Sequence, residues 1–499
     1  MKFLYIFLLW LVAGACTPSK QTELAWEKSL YQIGSQSSPK VADLNEDGVG
    51  DIVMGAGLEE IALTDHGVIA LDGKTGELLW KHPSNAQMVG SASFLDITAD
   101  SVPDVFIGGR NANLKAINGS SGELIWEYTF TYENDPILQF AKYNFYNSQW
   151  VPDQNEDGIP ELLTVNGGNW LVAPDSMQGR EPGVLMLFDP TNGNILAADT
   201  MPDGKESYMS PLSFSQIDQS EPLIVFGSGG ETQGGALYVC PLSYLGEQKL
   251  ASAQKIFEEI GHGFIAPPSI ADINGDNFLD ILAVSHAGKV KVIDGKNYET
   301  IWEKNFPGYE SSNQMALGYV NSDQTPDVMV WLSKGKWPLY SHSLGLVLDG
   351  EKGETLYADS SACFTLASPV VYDLNGDGWD EAILSRNEYD CQLNIKAEDS
   401  LTIEISNDLV AVDFTENRIQ SIDMGKRFKN FFSSPWIGDI DEDNYLDIVY
   451  VHYFHGTAMQ KFMGMRIRRI SSSIRMKEEP MWGAYMGTRG DGRFMENED

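Results

Sequence analysis

Short apolar blocks alternate with polar, glycine-bearing turns along most of the chain, and the three-to-four spacing of a long amphipathic helix is missing. The first complete example begins with the loop at residues 43–51. It continues through Ile52-Val53-Met54 and Gly67-Val68-Ile69-Ala70-Leu71, and ends with the turn Asp72-Gly73-Lys74-Thr75-Gly76-Glu77 before Leu78-Leu79-Trp80. This order of loop, strand, strand, turn and strand returns seven times, with loops opening near residues 43, 96, 153, 218, 272, 319, 373 and 439. A unit of about 50–65 residues accommodates four strands of ~5–6 residues with their turns, which is the content of one propeller blade. The pattern therefore predicts an all-β fold, a single β-propeller of eight four-stranded blades. Residues 24–33, LAWEKSLYQI, match the segments around Trp80, Trp126 and Trp302, so this N-terminal strand is expected to close the last blade and tie the two ends of the chain together. Residues 251–260 read as one short helix, Met465 to Ile470 reads as a strand of the eighth unit, and residues 482–494 carry no clear pattern.

The first residues break this rhythm. Lys2 precedes a short apolar run that ends in small residues and a cysteine, and the run from Phe3 to Ala15 falls well below the ~20 residues of a membrane-spanning helix. The expected organisation is a signal peptide at 1–15, a tether at 16–23 and the propeller at 24–499. The formal net charge is −37, and removal of Lys2 makes the mature chain more acidic still. Such a surface repels nucleic acid and anionic head groups, so no nucleic-acid partner is expected, and contact with a membrane would come only through an anchor. Besides Cys16 there are Cys240, Cys363 and Cys391. An exported chain can oxidise, and Cys363 and Cys391 share one repeat, so a disulfide between them is left open while Cys240 stays unpaired. No cysteine or histidine zinc cluster appears along the chain.

Candidate chemistry sits in the recurrent loops. Asp43, Asn45, Asp47 and Asp51 alternate around a curl with Gly48 at its sixth place; Asp153, Asn155, Asp157 and Glu161 do so with Gly158. Asp272, Asn274, Asp276 and Asp280 follow with Asn277, then Asp373, Asn375, Asp377 and Glu381 with Gly378, and last Asp439, Asp441, Asp443 and Asp447 with Asn444. Oxygen ligands at alternate positions suit a hard cation such as Ca²⁺, and Gly or Asn at the sixth place meets a separate demand for left-handed backbone. These are five expected Ca²⁺ sites of mainly structural purpose. Asp96, Asp100 and Asp104 form a sixth that is left open, because Thr98 is a weaker ligand and Ser101 fills the glycine place. Unit four keeps only Asp218, and unit six has Tyr319 at its first ligand place beside Asn321, Asp323 and Asp327. Trp80, Trp126 and Trp302 are expected to dock blades. The triplet Arg489-Gly490-Asp491 is read as chance.

The loop-plus-strand pattern resembles the FG-GAP or VCBS repeats of integrin α-like propellers and bacterial surface proteins. The segments ALDGKTGELLW and AINGSSGELIW resemble the tryptophan-bearing strands of PQQ-type quinoprotein propellers. This resemblance implies one Ca²⁺ in each intact loop, between the first two strands of a blade. Ala13-Gly14-Ala15-Cys16 resembles the lipobox of bacterial lipoproteins, which implies lipidation of Cys16 and a lipid-anchored place in the bacterial cell envelope, at the outer membrane or cell surface.

A fold does not fix an activity. The leading expectation is an envelope-anchored, calcium-binding module, a monomer that takes a protein or glycan ligand, with specificity carried by the long inserts of units three, four and eight. One alternative is a propeller-type polysaccharide lyase or other carbohydrate-active enzyme. The other is an outer-membrane assembly scaffold. No Cys-Cys pair marks a quinoprotein cofactor floor, so no organic cofactor is expected. An open polar funnel with exposed aromatics at the channel mouths would favour binding, and a convergent cluster of Lys, Arg, His and Tyr would favour catalysis.

Overall fold

The apolar blocks become the second strands of eight sheets, and the first of them, Asp51–Gly55, is buried at every position. The computed structural model describes residues 22–495 apart from 174, 175, 177, 218, 338, 361, 390, 392–404 and 455–460. The loops at Asp43, Asp96, Asp153, Asp272, Tyr319, Asp373 and Asp439 each join the innermost strand of a blade to its second strand. Cys16 and Asp218 lie outside the described residues. Blades one to eight follow chain order, and in each the strands pair antiparallel with their neighbours. Innermost strands are short, as in Lys40–Ala42 and Val370–Tyr372, because they crowd around the axis. In blades three, six and eight the innermost edge is shared by two short pieces.

Thr22–Tyr31 pairs with Gly464–Arg475 and forms the outer strand of blade eight, as expected. The short helix expected at 251–260 is not formed. Gln254–Glu259 is instead the outer strand of blade four, pairing with Gly235–Pro241, and the helical turn lies earlier at Ser243–Gly246. Ile256 and Phe257 pack into the cluster of blades four and five, and that burial decides the conformation against local helix propensity.

Blade-to-blade docking explains the tryptophans and the recurrent turn. Trp26, Trp80, Trp126 and Trp302 donate their indole N–H to the carbonyls of Gly73, Gly119, Pro190 and Gly350 in the following blade, at 2.7, 2.6, 2.6 and 2.6 Å. Each ring lies on the last glycine of that turn, Gly76, Gly122, Gly193 or Gly353. At Gly76 the φ is +73°, and an added Cβ would come within 2.5 Å of the Trp26 ring; Gly122 meets Trp80 in the same way at 2.7 Å. The turn glycine therefore serves a left-handed backbone and a neighbour's ring together. The third and fourth strands of every blade show a register shift, and where a tryptophan is present it stands at that bulge.

Cys363 and Cys391 form a disulfide, and Cys240 is buried and free. The segment after blade eight crosses the axis. The amides of Val371, Ile437 and Ile270, on the innermost strands of blades seven, eight and five, donate to the carbonyls of Trp482, Gly483 and Gly492 at 2.9, 2.7 and 2.8 Å. Gln149 and Lys40, on blades three and one, donate to Gly490 and Tyr485, both at 2.8 Å. Trp482 is fully buried. The segment starts beside the acidic loops, where Lys477 Nζ stands 3.3 Å from Asp373, so it closes that end of the channel. Arg489, Gly490 and Asp491 belong to this plug. Asp491 pairs with Arg493 at 2.6 Å, and the three residues help line a cavity of about 320 Å³ beneath it.

Candidate functional site

The acidic loops are first a backbone device. The first-place aspartate accepts the amide of the sixth residue in six units: Asp43 from Gly48, Asp96 from Ser101, Asp153 from Gly158, Asp272 from Asn277, Asp373 from Gly378 and Asp439 from Asn444. The sixth residue has positive φ in all of them, Ser101 included at 75°, so the second loop folds like the others despite its missing glycine. The fourth place is left-handed as well, and glutamate bears that strain at Glu46, Glu156 and Glu442.

The ninth-place carboxylate is a bracket. Asp51 accepts amides from Leu44 and from Gly73 in the outer turn, both at 2.9 Å, and Asp280 likewise accepts from Ile273 and Gly295 at 2.9 and 2.8 Å. Asp104 spans Ile97 and Gly119, Asp327 spans Val320 and Gly350, and Glu161 and Glu381 hold Gln154 and Leu374. Burial, with the nearby charges of Asp72 and Asp43, pushes the Asp51 carboxyl up to about 6 against those two amides. Burial does the same to Asp280, to about 6, and to Glu381, to about 8.

The donor sets divide the loops. In unit one, Asp43, Asp47, Asp51 and the turn's Asp72 have no ion-pair partner among the described residues, and Asn45 Nδ2 lies 3.3 Å from Asp72. Unit five repeats the contact with Asp294 beside Asn274, and there Lys296 Nζ stands 3.8 Å from Asp276. Oxygen-rich sets of this kind fit a hard cation. Unit three keeps Asp153, Asn155, Asp157 and Glu161 around one loop, and unit seven keeps Asp373, Asn375, Asp377 and Glu381 with Lys477 at its edge. Unit two differs, because the Asn118 amide nitrogen sits among Thr98, Asp100 and Asp104 at 3.3, 3.1 and 3.2 Å. Unit six gathers more acid than its sequence promised, with Asp323, Asp327 and Asp349 together. In unit eight a guanidinium enters the loop: Arg469 holds Asp441 and, at 3.0 and 3.2 Å, Asp447, and it also donates to Gly73 O at 3.1 Å. Asp439 and Asp443 remain outside that contact, capping the loop backbone.

A second group gathers at the opposite end of the channel, on turns and connectors far from the acidic loops. Arg110 pairs with Glu60 at 3.0 Å; Arg180 pairs with the buried Glu206 and lies 3.1 Å from the Tyr208 hydroxyl, whose ring faces Tyr146. Burial raises the Glu231 carboxyl, opposed by the charges of His286, Arg110 and Arg180. Glu310 accepts from the Trp337 amide and the Tyr340 hydroxyl at 2.9 and 2.8 Å. Gln87 and the Tyr146 hydroxyl are buried there without hydrogen-bond partners, as expected of groups lining a wet channel.

The family model described as "Outer membrane protein assembly factor BamB" matches residues 21–200, the part that carries Trp26, Trp80 and Trp126. Among solved structures, a europium-containing methanol dehydrogenase aligns at TM-score 0.59 with 11% identity, covering 91% of this chain and 93% of its own. The quinohemoprotein alcohol dehydrogenase of Comamonas testosteroni aligns at 0.55 with 10% identity, covering 92% and 78%. The fold is that of the PQQ-like propellers. At such identities these likenesses bear on the fold alone. Protein FAM234B of Mus musculus is 23% identical over 396 residues, 72% of this chain and 58% of its own length. The chain thus spans less than two thirds of the curated relatives it matches.

Within this PQQ-like ring, the sequence reading missed Arg469, whose signal was the unusual run Arg466-Ile467-Arg468-Arg469 in a very acidic chain. It also gave no ligand role to Asp72, Asp294 or Asp349, although they face the loops. The channel-mouth residues gave no local signal, because six blades contribute them.

Proposed function

We propose that this chain is an envelope-anchored, calcium-stabilised propeller that binds a protein through the channel end opposite its acidic loops. One observation carries the reading. Large apolar side chains stand exposed on that face, from turns of different blades: Leu63 at 83%, Ile260 at 90%, Leu171 at 70% and Leu339 at 60%. Exposed apolar side chains set among polar groups suit a protein interface, and the plug has already closed the other end. The matched family model is named for an outer-membrane assembly factor, which supports both the envelope placement and a protein partner. Calcium is assigned to units one, three, five and seven, whose donor sets fit it. Cys16 would carry the anchor, and loss of lipid labelling in Cys16→Ser tests that.

Photo-crosslinking tests the binding face. A crosslinker at Leu63 or Ile260 should yield a discrete protein adduct, and one at Ile217 or Tyr445, on the acidic-loop side, should not. Equal labelling from both sides, or none from either, overturns the reading.

A second reading, a carbohydrate-active enzyme, is favoured by the convergence of Arg110, Arg180, Tyr146, Tyr208, His262 and His286 at the same mouth. Release of unsaturated products from uronic-acid polysaccharides would establish it in place of the first.

A further inference from the structure

His262 and His286 are 24 positions apart in the sequence and lie in different loops of the channel mouth, one in the connector from blade four to blade five, the other in the turn after Asp280–Val284. Their rings stand 5.7 Å apart. Glu310, from the first strand of blade six, completes a group in which one ligand atom from each of the three residues lies within 4.8 Å of the others.

Hydrogen bonding fixes which ring nitrogens are available. His262 Nδ1 faces the Glu231 carbonyl at 2.5 Å, and His286 Nδ1 faces the Ser311 carbonyl at 3.0 Å. A carbonyl oxygen only accepts, so each Nδ1 carries a proton, and Nε2 is the ring nitrogen left to meet a metal ion. His286 is buried, and its Nε2 has no hydrogen-bond partner, although it stands 3.2 Å from Glu310 Oε2. With Nε2 unprotonated this approach is repulsive, and a cation held between the two atoms would relieve it. Two ligand atoms on one zinc ion, each about 2.0–2.2 Å from the metal, stand roughly 3.2–3.5 Å apart at tetrahedral angles. Carbonyls that orient the distal ring nitrogens, and the Trp337 and Tyr340 donors that hold Glu310, are the outer-shell arrangement such a site needs.

We propose that His262, His286 and Glu310 form a binding site for one first-row transition-metal ion of the zinc class at the open mouth of the channel. Imidazole and carboxylate together select such an ion over Ca²⁺, so this site is chemically separate from the acidic loops. His262 is part-exposed, which gives the ion its way in and leaves a coordination position toward the channel.

The test uses the whole chain in excess Ca²⁺, with Zn²⁺ and Co²⁺ as probes. Calorimetry and metal analysis after dialysis should find about one Zn²⁺ per chain, and Co²⁺ should give visible bands of a four- or five-coordinate nitrogen–oxygen site. His262→Asn, at a part-exposed position that leaves the buried pair intact, should weaken Zn²⁺ binding by about tenfold or more. Glu310→Gln should do the same, and Asp51→Asn should leave Zn²⁺ binding unchanged. A wild-type chain that retains no Zn²⁺, or whose affinity and Co²⁺ spectrum are the same in His262→Asn, overturns the proposal and leaves His286 and Glu310 as a simple ion pair.

Discussion

The first and eighth acidic loops share a nine-residue frame, the same cap from the first aspartate to the sixth amide, and the same two left-handed residues. They differ in what meets their charge. In the first, Asp51 is bracketed by amides and crowded by Asp43 and Asp72; in the eighth, Arg469 reaches in from the third strand and holds Asp441 and Asp447. One backbone thus meets the same repulsion in two settings: an unpaired oxygen set in one blade, to which we assign an exchangeable cation, and a covalently attached guanidinium in another. The motif specifies the curl, and its surroundings decide what neutralises it.

The largest test of this contrast removes the attached cation. Arg469→Ala leaves Asp447 buried without its partner and should cost about 3–5 kcal/mol. If the loop frame is otherwise intact, added Ca²⁺ should recover part of that loss and the chain should take up one more ion than wild type. A melting series with and without Ca²⁺, together with ion counting, reads both. Chelation of the wild type is the next test: each occupied loop should lose ~1.4 kcal/mol when free ion falls from ten times its dissociation constant to zero. An unchanged melting temperature in chelator would remove calcium from the account of stability. A smaller effect separates the two tryptophans at these blades. Trp80→Phe leaves the Gly119 carbonyl without its indole donor and should cost about 1 kcal/mol; Trp26→Phe should cost less, because Arg469 also donates to Gly73 O. Chemical denaturation of the pair measures the difference. A last effect is on pH. The folded carboxyls of Asp51 and Asp280 sit near 6 and that of Glu381 near 8, above their unfolded values, so between about pH 4 and 8 the folded state binds more protons. Stability of the metal-free chain should therefore fall as pH rises through that window, and Asp51→Asn should flatten the slope.

Much of the ring was legible because its signals are local and repeated. Alternating burial gave the strands, the nine-residue frame gave the blade count, and the tryptophan segment at residues 24–33 gave the closing strand. The rest depends on what meets in space. Gln254–Glu259 has a helix-compatible composition but forms an edge strand that buries Phe257 and part of Ile256. The glutamates at the fourth loop place give no hint of positive φ, since the strain at Glu46 is imposed by the caps on either side of it. His262, His286 and Glu310 sit in a connector, a turn and a short strand whose sequences share no pattern, and only the winding of blades four to six brings them together. Residues 482–494 lack periodicity because they bond through their own carbonyls, to amides on three blades and to the side chains of Lys40 and Gln149 on two more.

That last segment also sets an order of events. Lys40, in the first blade, bonds to the carbonyl of Tyr485, 445 positions later, and the strand that latches the ring immediately precedes the segment that fills it. During synthesis or export, the earlier blades can form while the circle is still an arc. The clasp and its axle arrive together, after the first seven blades. A chain interrupted before that point would keep nearly all its β-structure and still be an open ribbon, with unpaired edges at both ends and an empty bore, a form that proteases and chaperones could tell from the finished article.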